Sequence, residues 1–128
     1  MGKLKILVVD DEPEWLDILS LLFTRKGWDV QTALSGEAAW SAMGERSYDL
    51  VLCDLSMPDI SGISLAKELH KLGNAPAVVL MSSIPGFSLE AWKIQAYGFI
   101  EKPYTKHDIV EMIERYRNEA ENKIDGSF

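Results

Sequence analysis

The chain carries one cysteine, Cys53, which excludes an internal disulfide framework and any metal cage built from cysteine alone. No apolar run approaches the roughly 18 residues that a membrane-crossing helix requires. Met1-Gly2-Lys3-Leu4-Lys5 does not lead into a signal peptide. Ile6 stands where a myristoylation signal after Gly2 would want Ser or Thr. Basic residues are also scarce: 13 Lys and Arg face 20 Asp and Glu, for a formal charge of −7. So acidic a chain repels nucleic acid and anionic membrane, and neither is expected as a direct partner. Internal linkers, low-complexity tracts and blocks of like charge are missing too, so nothing marks a second domain. What remains is 128 residues, 47% hydrophobic and 26% charged, enough for one globular core without staples. The expectation is a reduced, cytoplasmic domain over residues 3–120, with 121–128 as a polar tail or the start of a linker.

Short apolar runs at 4–9, 28–32, 50–53, 77–81 and 97–100 alternate with stretches of helical period. The first, third and fourth are almost continuously apolar, as strands covered on both faces must be. Trp15, Ile18, Leu19, Leu22 and Phe23 recur at helix spacing, with Gly27 after Lys26 as the stop. Ser35 caps a second helix with Ala38, Ala39, Ala42 and Met43 on its buried stripe. Ser61 or Gly62 opens a third, carrying Ile63, Ala66, Leu69 and Leu72 and ending at Gly73. A fourth, shorter helix covers about 88–95. The fifth starts at Thr105, with Asp108 completing an aspartate variant of the capping box, and runs through Ile109, Met112, Ile113 and Tyr116. The polar residues from 118 onward read as a fraying tail. Five strand–helix units predict an α/β fold: a doubly wound five-stranded parallel sheet with helices on both faces.

In such sheets ligands bind beyond the carboxyl ends of the strands. Strand one ends in Asp10-Asp11-Glu12, strand three in Asp54, strand four in Ser82-Ser83 and strand five in Glu101-Lys102-Pro103. Each has an ordinary explanation alone: acids favour a helix N-terminus, serines bond local backbone, and an edge lysine is solvated. Together they do not. Three carboxylates in one crevice repel each other unless a cation compensates, and one lysine leaves the group doubly negative. Hard oxygen ligands with open positions suit Mg²⁺. A carboxylate acceptor, a metal, a hydroxyl and an ammonium make a phosphoryl-transfer site. No Gly-rich phosphate loop follows strand one, and Asp10-Asp11-Glu12-Pro13 would repel a nucleotide, which argues against a flavin- or nucleotide-binding enzyme.

The chain resembles the receiver domain of two-component response regulators over about residues 3–120. The matching pieces are Ile6-Leu7-Val8-Val9-Asp10-Asp11-Glu12 and Tyr48-Asp49-Leu50-Val51-Leu52-Cys53-Asp54-Leu55-Ser56-Met57-Pro58-Asp59-Ile60-Ser61-Gly62. Val78-Val79-Leu80-Met81-Ser82-Ser83 and Phe99-Ile100-Glu101-Lys102-Pro103 follow in the same order. The resemblance implies a flavodoxin-like (βα)5 fold with strand order 2-1-3-4-5. It implies that Asp54 is the phosphoacceptor, that Asp11 and Asp54 ligate Mg²⁺ directly, Asp10 through water, and that the Ser56 backbone carbonyl is a further ligand. Lys102 and Ser82 would bind phosphate oxygens, with Ser82 and Phe99 as the switch pair and Pro103 following a cis peptide. Ser56 and Ile84 match the positions that influence phosphate lifetime; apolar Ile84 cannot orient a water, so slow self-dephosphorylation is expected. The implied partners are a sensor histidine kinase or histidine phosphotransfer protein, and a downstream protein or effector domain reached through the surface of helix four, strand five and helix five. A homodimer formed on phosphorylation through that surface is compatible with the resemblance. The implied role is a signalling switch rather than a stand-alone enzyme, and the alternative is a phosphorylation-independent interaction module with the same fold.

Several residues depart from the family pattern. Ser82 replaces the more frequent Thr but keeps the hydroxyl, Phe99 lacks the hydroxyl of the common Tyr, Ser83 stands where Ala is usual, and Gln95 replaces a usual Gly. Pro85-Gly86 suggests a short start to the fourth helix. Cys53 reads as a small core hydrophobe. His70 and His107, with no ligand partner at i+4, read as surface residues, and Trp15, Trp28, Trp40 and Trp92 are too dispersed for a cofactor box. The chain is expected to be either a single-domain regulator or part of a longer protein.

Overall fold

In the computed structural model of this chain, the structure describes residues 2–55, 62–71, 75–82, 96–101 and 105–125. The apolar runs form five strands: β1 (Lys5–Val9), β2 (Asp29–Ala33), β3 (Leu50–Asp54), β4 (Ala77–Ser82) and β5 (Gly98–Glu101). All pair in parallel, in the order β2-β1-β3-β4-β5. Between and after them lie helices α1 (Pro13–Arg25), α2 (Gly36–Glu45), α3 (Gly62–His70) and α4 (Lys106–Asp125). The last corresponds to the fifth helix expected from sequence; the expected helix at 88–95, with Trp92 and Gln95, lies outside the described residues.

Strand alternation divides the core in two. Ile6, Val8, Leu50, Leu52, Val79 and Met81 face one side, where Leu16, Leu19 and Phe23 of α1 and Ile109 and Ile113 of α4 cover them. Leu7, Val9, Val51, Cys53 and Leu80 face the other, covered by Ala39 of α2 and Leu65 and Leu69 of α3. Every residue of β3 is buried, which its uninterrupted apolar run requires of a central strand with helices on both faces.

Three of the expected ends hold in detail. Ser35 Oγ accepts a hydrogen bond from the Ala38 N–H at 3.0 Å. Thr105 N–H donates to Asp108 Oδ2 at 2.9 Å and Asp108 N–H donates to Thr105 Oγ1 at 3.1 Å, a reciprocal cap. Lys26 closes α1, and Gly27 takes φ 87°, the left-handed conformation that lets the chain turn into β2. Nothing lies within 4 Å of a Cβ built on Gly27. Gly27→Ala is therefore expected to cost about 1–2 kcal/mol from backbone conformation alone, read as a lower thermal midpoint with no change in far-UV circular dichroism.

Helix faces were harder to assign. On α1 the buried residues are Leu16, Leu19 and Phe23, while Ile18 and Leu21 are exposed. On α2 the expected Ala38 faces solvent, and Trp40 packs against the core beside Ala42 and Met43. On α3 Leu69 is buried as expected, joined by Leu65; Leu72, Gly73 and the side chains of Ile63 and Ala66 lie outside the description. The last helix persists to Asp125, past the point where polar composition predicts fraying. Glu, Arg, Lys and Ala favour helix intrinsically. Tyr97 adds an anchor, donating to Glu119 at 2.8 Å and meeting Tyr116 edge-on at 5.3 Å.

Candidate functional site

The parallel register delivers polar groups to one edge of the sheet. Val9 pairs with both Ala33 and Cys53, so the residue after each central strand's last pair, Asp10 on one and Asp54 on the other, reaches the same level. Asp10 N–H donates to the Ala33 carbonyl at 3.1 Å, and Asp10 Oδ1 accepts from the Glu12 N–H at 3.0 Å. These bonds hold the turn that leads into α1. Leu55 N–H donates to the Met81 carbonyl at 2.9 Å, extending the β3–β4 ladder past Asp54. Ser82 closes β4 opposite Glu101 of β5.

Asp10, Asp11 and Asp54 each offer a carboxylate oxygen, and these oxygens lie within 4.8 Å of one another. Asp10 is fully buried and Asp54 is 6% exposed, whereas Asp11 opens to solvent. Ser82, 2% exposed, is the third buried polar side chain in the described residues. Carboxylates this close favour a cation between them, and an all-oxygen set with one open flank fits Mg²⁺, which keeps part of its water shell. The donor chemistry therefore suits the metal expected from sequence. The same cluster acts on its neighbour: burial pushes the Cys53 thiol far above its ordinary range, and the Asp54 and Asp10 charges push it further.

Of the residues singled out from sequence, the structure brings together Asp10, Asp11 and Asp54. Phe99 lies on β5, half-buried, packed against the α2–α3 side of the core. Ser56, Ser83, Ile84, Pro85, Gly86, Lys102 and Pro103 lie outside the described residues. Cys53 is the buried core residue expected. His107 is on the surface, 83% exposed, but it does have a partner at i+4: its Nε2 is 3.3 Å from Glu111 Oε2. An exposed pair of this kind is an ordinary helix-surface contact and adds no metal site. The side chain of His70 lies outside the description.

A parallel five-stranded sheet ordered 2-1-3-4-5, with a carboxylate triad at the carboxyl ends of its central strands, is a flavodoxin-like fold with an acidic site at its switch point. The family model for the response regulator receiver domain matches residues 6–114, and the chain belongs to that family, the signalling domain of two-component response regulators. It is 34% identical over 116 residues to the transcriptional regulatory protein ZraR of Salmonella typhimurium, covering 89% of this chain and 26% of ZraR. It is 30% identical over 127 residues to the sensory transduction protein LytT of Bacillus anthracis, covering 95% of this chain and 50% of LytT. The solved receiver domain protein from Clostridium thermocellum superposes with a TM-score of 0.82 at 30% identity, covering 92% of this chain and 97% of that one. The chain thus spans half or less of the length of these curated relatives. Receiver domains bind Mg²⁺ at an acidic pocket, the place that Asp10, Asp11 and Asp54 occupy here. Among the described residues, no helix is long and apolar enough to cross a membrane.

Proposed function

We propose that this chain is a phosphorylation switch that takes a phosphoryl group onto Asp54. The observation that carries the proposal is the approach of Asp10, Asp11 and Asp54 within 4.8 Å at the end of the buried central strands. A carboxylate oxygen of Asp54 attacks phosphorus in a phosphohistidine of a sensor histidine kinase or phosphotransfer protein. The P–N bond breaks, its electron pair stays on the imidazole, which takes up a proton, and Asp54 carries an acyl phosphate. Asp10, Asp11 and Asp54, with the Ser56 carbonyl, would hold Mg²⁺. The ion, when bound, neutralises charge on the transferring phosphoryl oxygens. Lys102 pairs with one phosphate oxygen and Ser82 donates to another. The movement of Ser82 lets Phe99 turn inward, which alters the surface presented to a downstream protein or effector domain. The domain itself, taken as residues 3–120, acts as a signalling element and catalyses no turnover beyond its own phosphorylation and dephosphorylation. Its setting is cytoplasmic, where histidine kinases present their phosphodonor.

The test is treatment with acetyl phosphate and Mg²⁺, followed by intact mass measurement. One acid-stable, hydroxylamine-sensitive phosphoryl group per chain supports the switch; no gain, or a gain that survives Asp54→Asn, refutes the acceptor assignment. In the same preparation, apolar Ile84, at the position that influences phosphate lifetime in the family, is expected to leave the acyl phosphate long-lived, because it cannot orient a hydrolytic water. Loss within seconds in the presence of Mg²⁺ would contradict that.

A further inference from the structure

The last helix carries a sulfur that the phosphoacceptor chemistry does not use. Of the five methionines, Met81 is fully buried in the sheet, and Met43 packs against the core beside Trp40. Met1 and Met57 lie outside the described residues. Met112 differs. It is half-buried on α4 and lines a groove of about 330 Å³ between α4 and β5 that opens to solvent. Gly98 of β5 provides the seat for its thioether: a Cβ built there would lie 2.8 Å from the Met112 sulfur and 3.1 Å from its methyl carbon. Any side chain at position 98 would displace the sulfur.

Arg115, about one turn further along α4, donates a guanidinium N–H to that sulfur at 3.1 Å. The guanidinium is held from a second side. Burial and the bond to Glu119 push the Tyr97 hydroxyl up, and a hydrogen bond from Arg115 opposes them. Arg115 thus spans Met112 and Tyr97. A thioether sulfur carries two lone pairs and is a weak acceptor. With one pair engaged by Arg115, a single pair is left for an electrophile arriving through the groove. Oxidation makes the sulfur a stereocentre, so attack at one pair gives one sulfoxide epimer. The new oxygen is a far better acceptor than the oxidised sulfur, and the guanidinium follows it. The seat on Gly98 then loses the bond that steadies it, while a flexible apolar side chain becomes a polar one.

We propose that Met112 is a site of reversible oxidation by hydroperoxides, with Arg115 directing the oxygen to one face of the sulfur. The free lone pair attacks one oxygen of the hydroperoxide. A sulfur–oxygen bond forms, and the oxygen–oxygen bond breaks with its electron pair on the departing oxygen. That oxygen takes up the proton released from the attacked one, so hydrogen peroxide leaves water. Sulfur is oxidised by two electrons and the peroxide is reduced by two. A dithiol reductase reverses the step: two thiols become a disulfide and the sulfoxide oxygen leaves as water. Nothing in this chemistry requires a phosphoryl group on Asp54.

The experiment treats the full chain with hydrogen peroxide and follows each methionine by peptide mass. Met112 is expected to gain oxygen at least about tenfold faster than buried Met81, because reaction follows exposure. The two methionine sulfoxide reductases, each specific for one epimer, are then added separately. One should restore nearly all of the Met112 sulfoxide and the other almost none. In Arg115→Leu, a change at an exposed position, both lone pairs are free and each reductase should restore a comparable share. The thermal midpoint of the unaltered chain should fall by several degrees on oxidation and recover with the productive reductase. Met112→Leu, close in volume, should lose most of that fall. Oxidation of Met112 no faster than of Met81 overturns the proposal, as does an equal mixture of epimers in the unaltered chain. A single epimer that persists in Arg115→Leu removes the directing group and overturns it too. So does a midpoint that falls as far in Met112→Leu, since the oxidation responsible then lies elsewhere.

Discussion

Asp54→Asn is expected to reduce phosphorylation by acetyl phosphate to background. The amide has nearly the shape of the carboxylate but no nucleophilic oxygen anion, so the fold stays and the acceptor goes. On the proposed assignment, Asp11→Asn keeps the acceptor and removes one metal ligand. It should slow labelling by about a hundredfold or more, because a bound cation is worth several kcal/mol to a transferring phosphoryl group. The two variants also separate binding from chemistry through stability. Mg²⁺ at about 100 times its dissociation constant stabilises a folded protein by about 2.7 kcal/mol, provided that it binds only the native state. Calorimetry should find that gain in the unaltered chain and little of it in either variant. Three carboxylate oxygens within 4.8 Å are the physical reason, since each lost charge weakens the field that holds the ion. An Mg²⁺-dependent rise of full size in Asp54→Asn would place the ion elsewhere.

Phe23→Ala should cost about 3–5 kcal/mol, a large part of the roughly 5–15 kcal/mol that holds a domain of this size together. The ring is fully buried, tilted against Trp28 with centroids 5.5 Å apart, in the cluster where α1 and α4 cover the sheet. Its loss leaves a cavity in the cluster that α1, α4 and the sheet form together, which these elements cannot all close at once. Urea denaturation followed by circular dichroism should show the midpoint falling sharply with an unchanged slope. Leu34→Ala is the internal comparison. Leu34 is 53% exposed, so its truncation should stay within about 0.5 kcal/mol. Similar costs for the two would mean that the core is not organised around Phe23.

The strands were legible because uninterrupted apolar runs such as 50–53 have one stable solution in a protein of this size: burial on both faces of a parallel sheet. Caps were legible because Ser35, Gly27 and the Thr105–Asp108 pair act within a few residues of themselves, where sequence distance is spatial distance. Helix faces were less so. α1 carries apolar residues at enough positions to make two overlapping stripes, and only packing against β1 and α4 chooses Leu16, Leu19 and Phe23 over Ile18 and Leu21. Small Ala38 lost its place on α2 to the larger Trp40 because alanine buries too little area to decide an orientation. The candidate site follows from chain topology: residues after strands that are neighbours in a parallel sheet must meet, so Asp10, Asp11 and Asp54 were recognisable before any distance was known. The contact of β5 with α4 had no such signature: it depends on Gly98 leaving room for Met112, a fit of volumes rather than a pattern.

The single buried thiol has a consequence of its own. Cys53 sits in the central strand with no exposed surface, and both burial and the neighbouring carboxylates suppress its thiolate. An alkylating reagent can reach it only when β3 separates from its neighbours, so the rate of modification counts openings of the middle of the sheet. With no other cysteine to confuse the count, the molecule carries its own clock one residue from Asp54. Any ligand that tightens the acidic cluster should slow that clock.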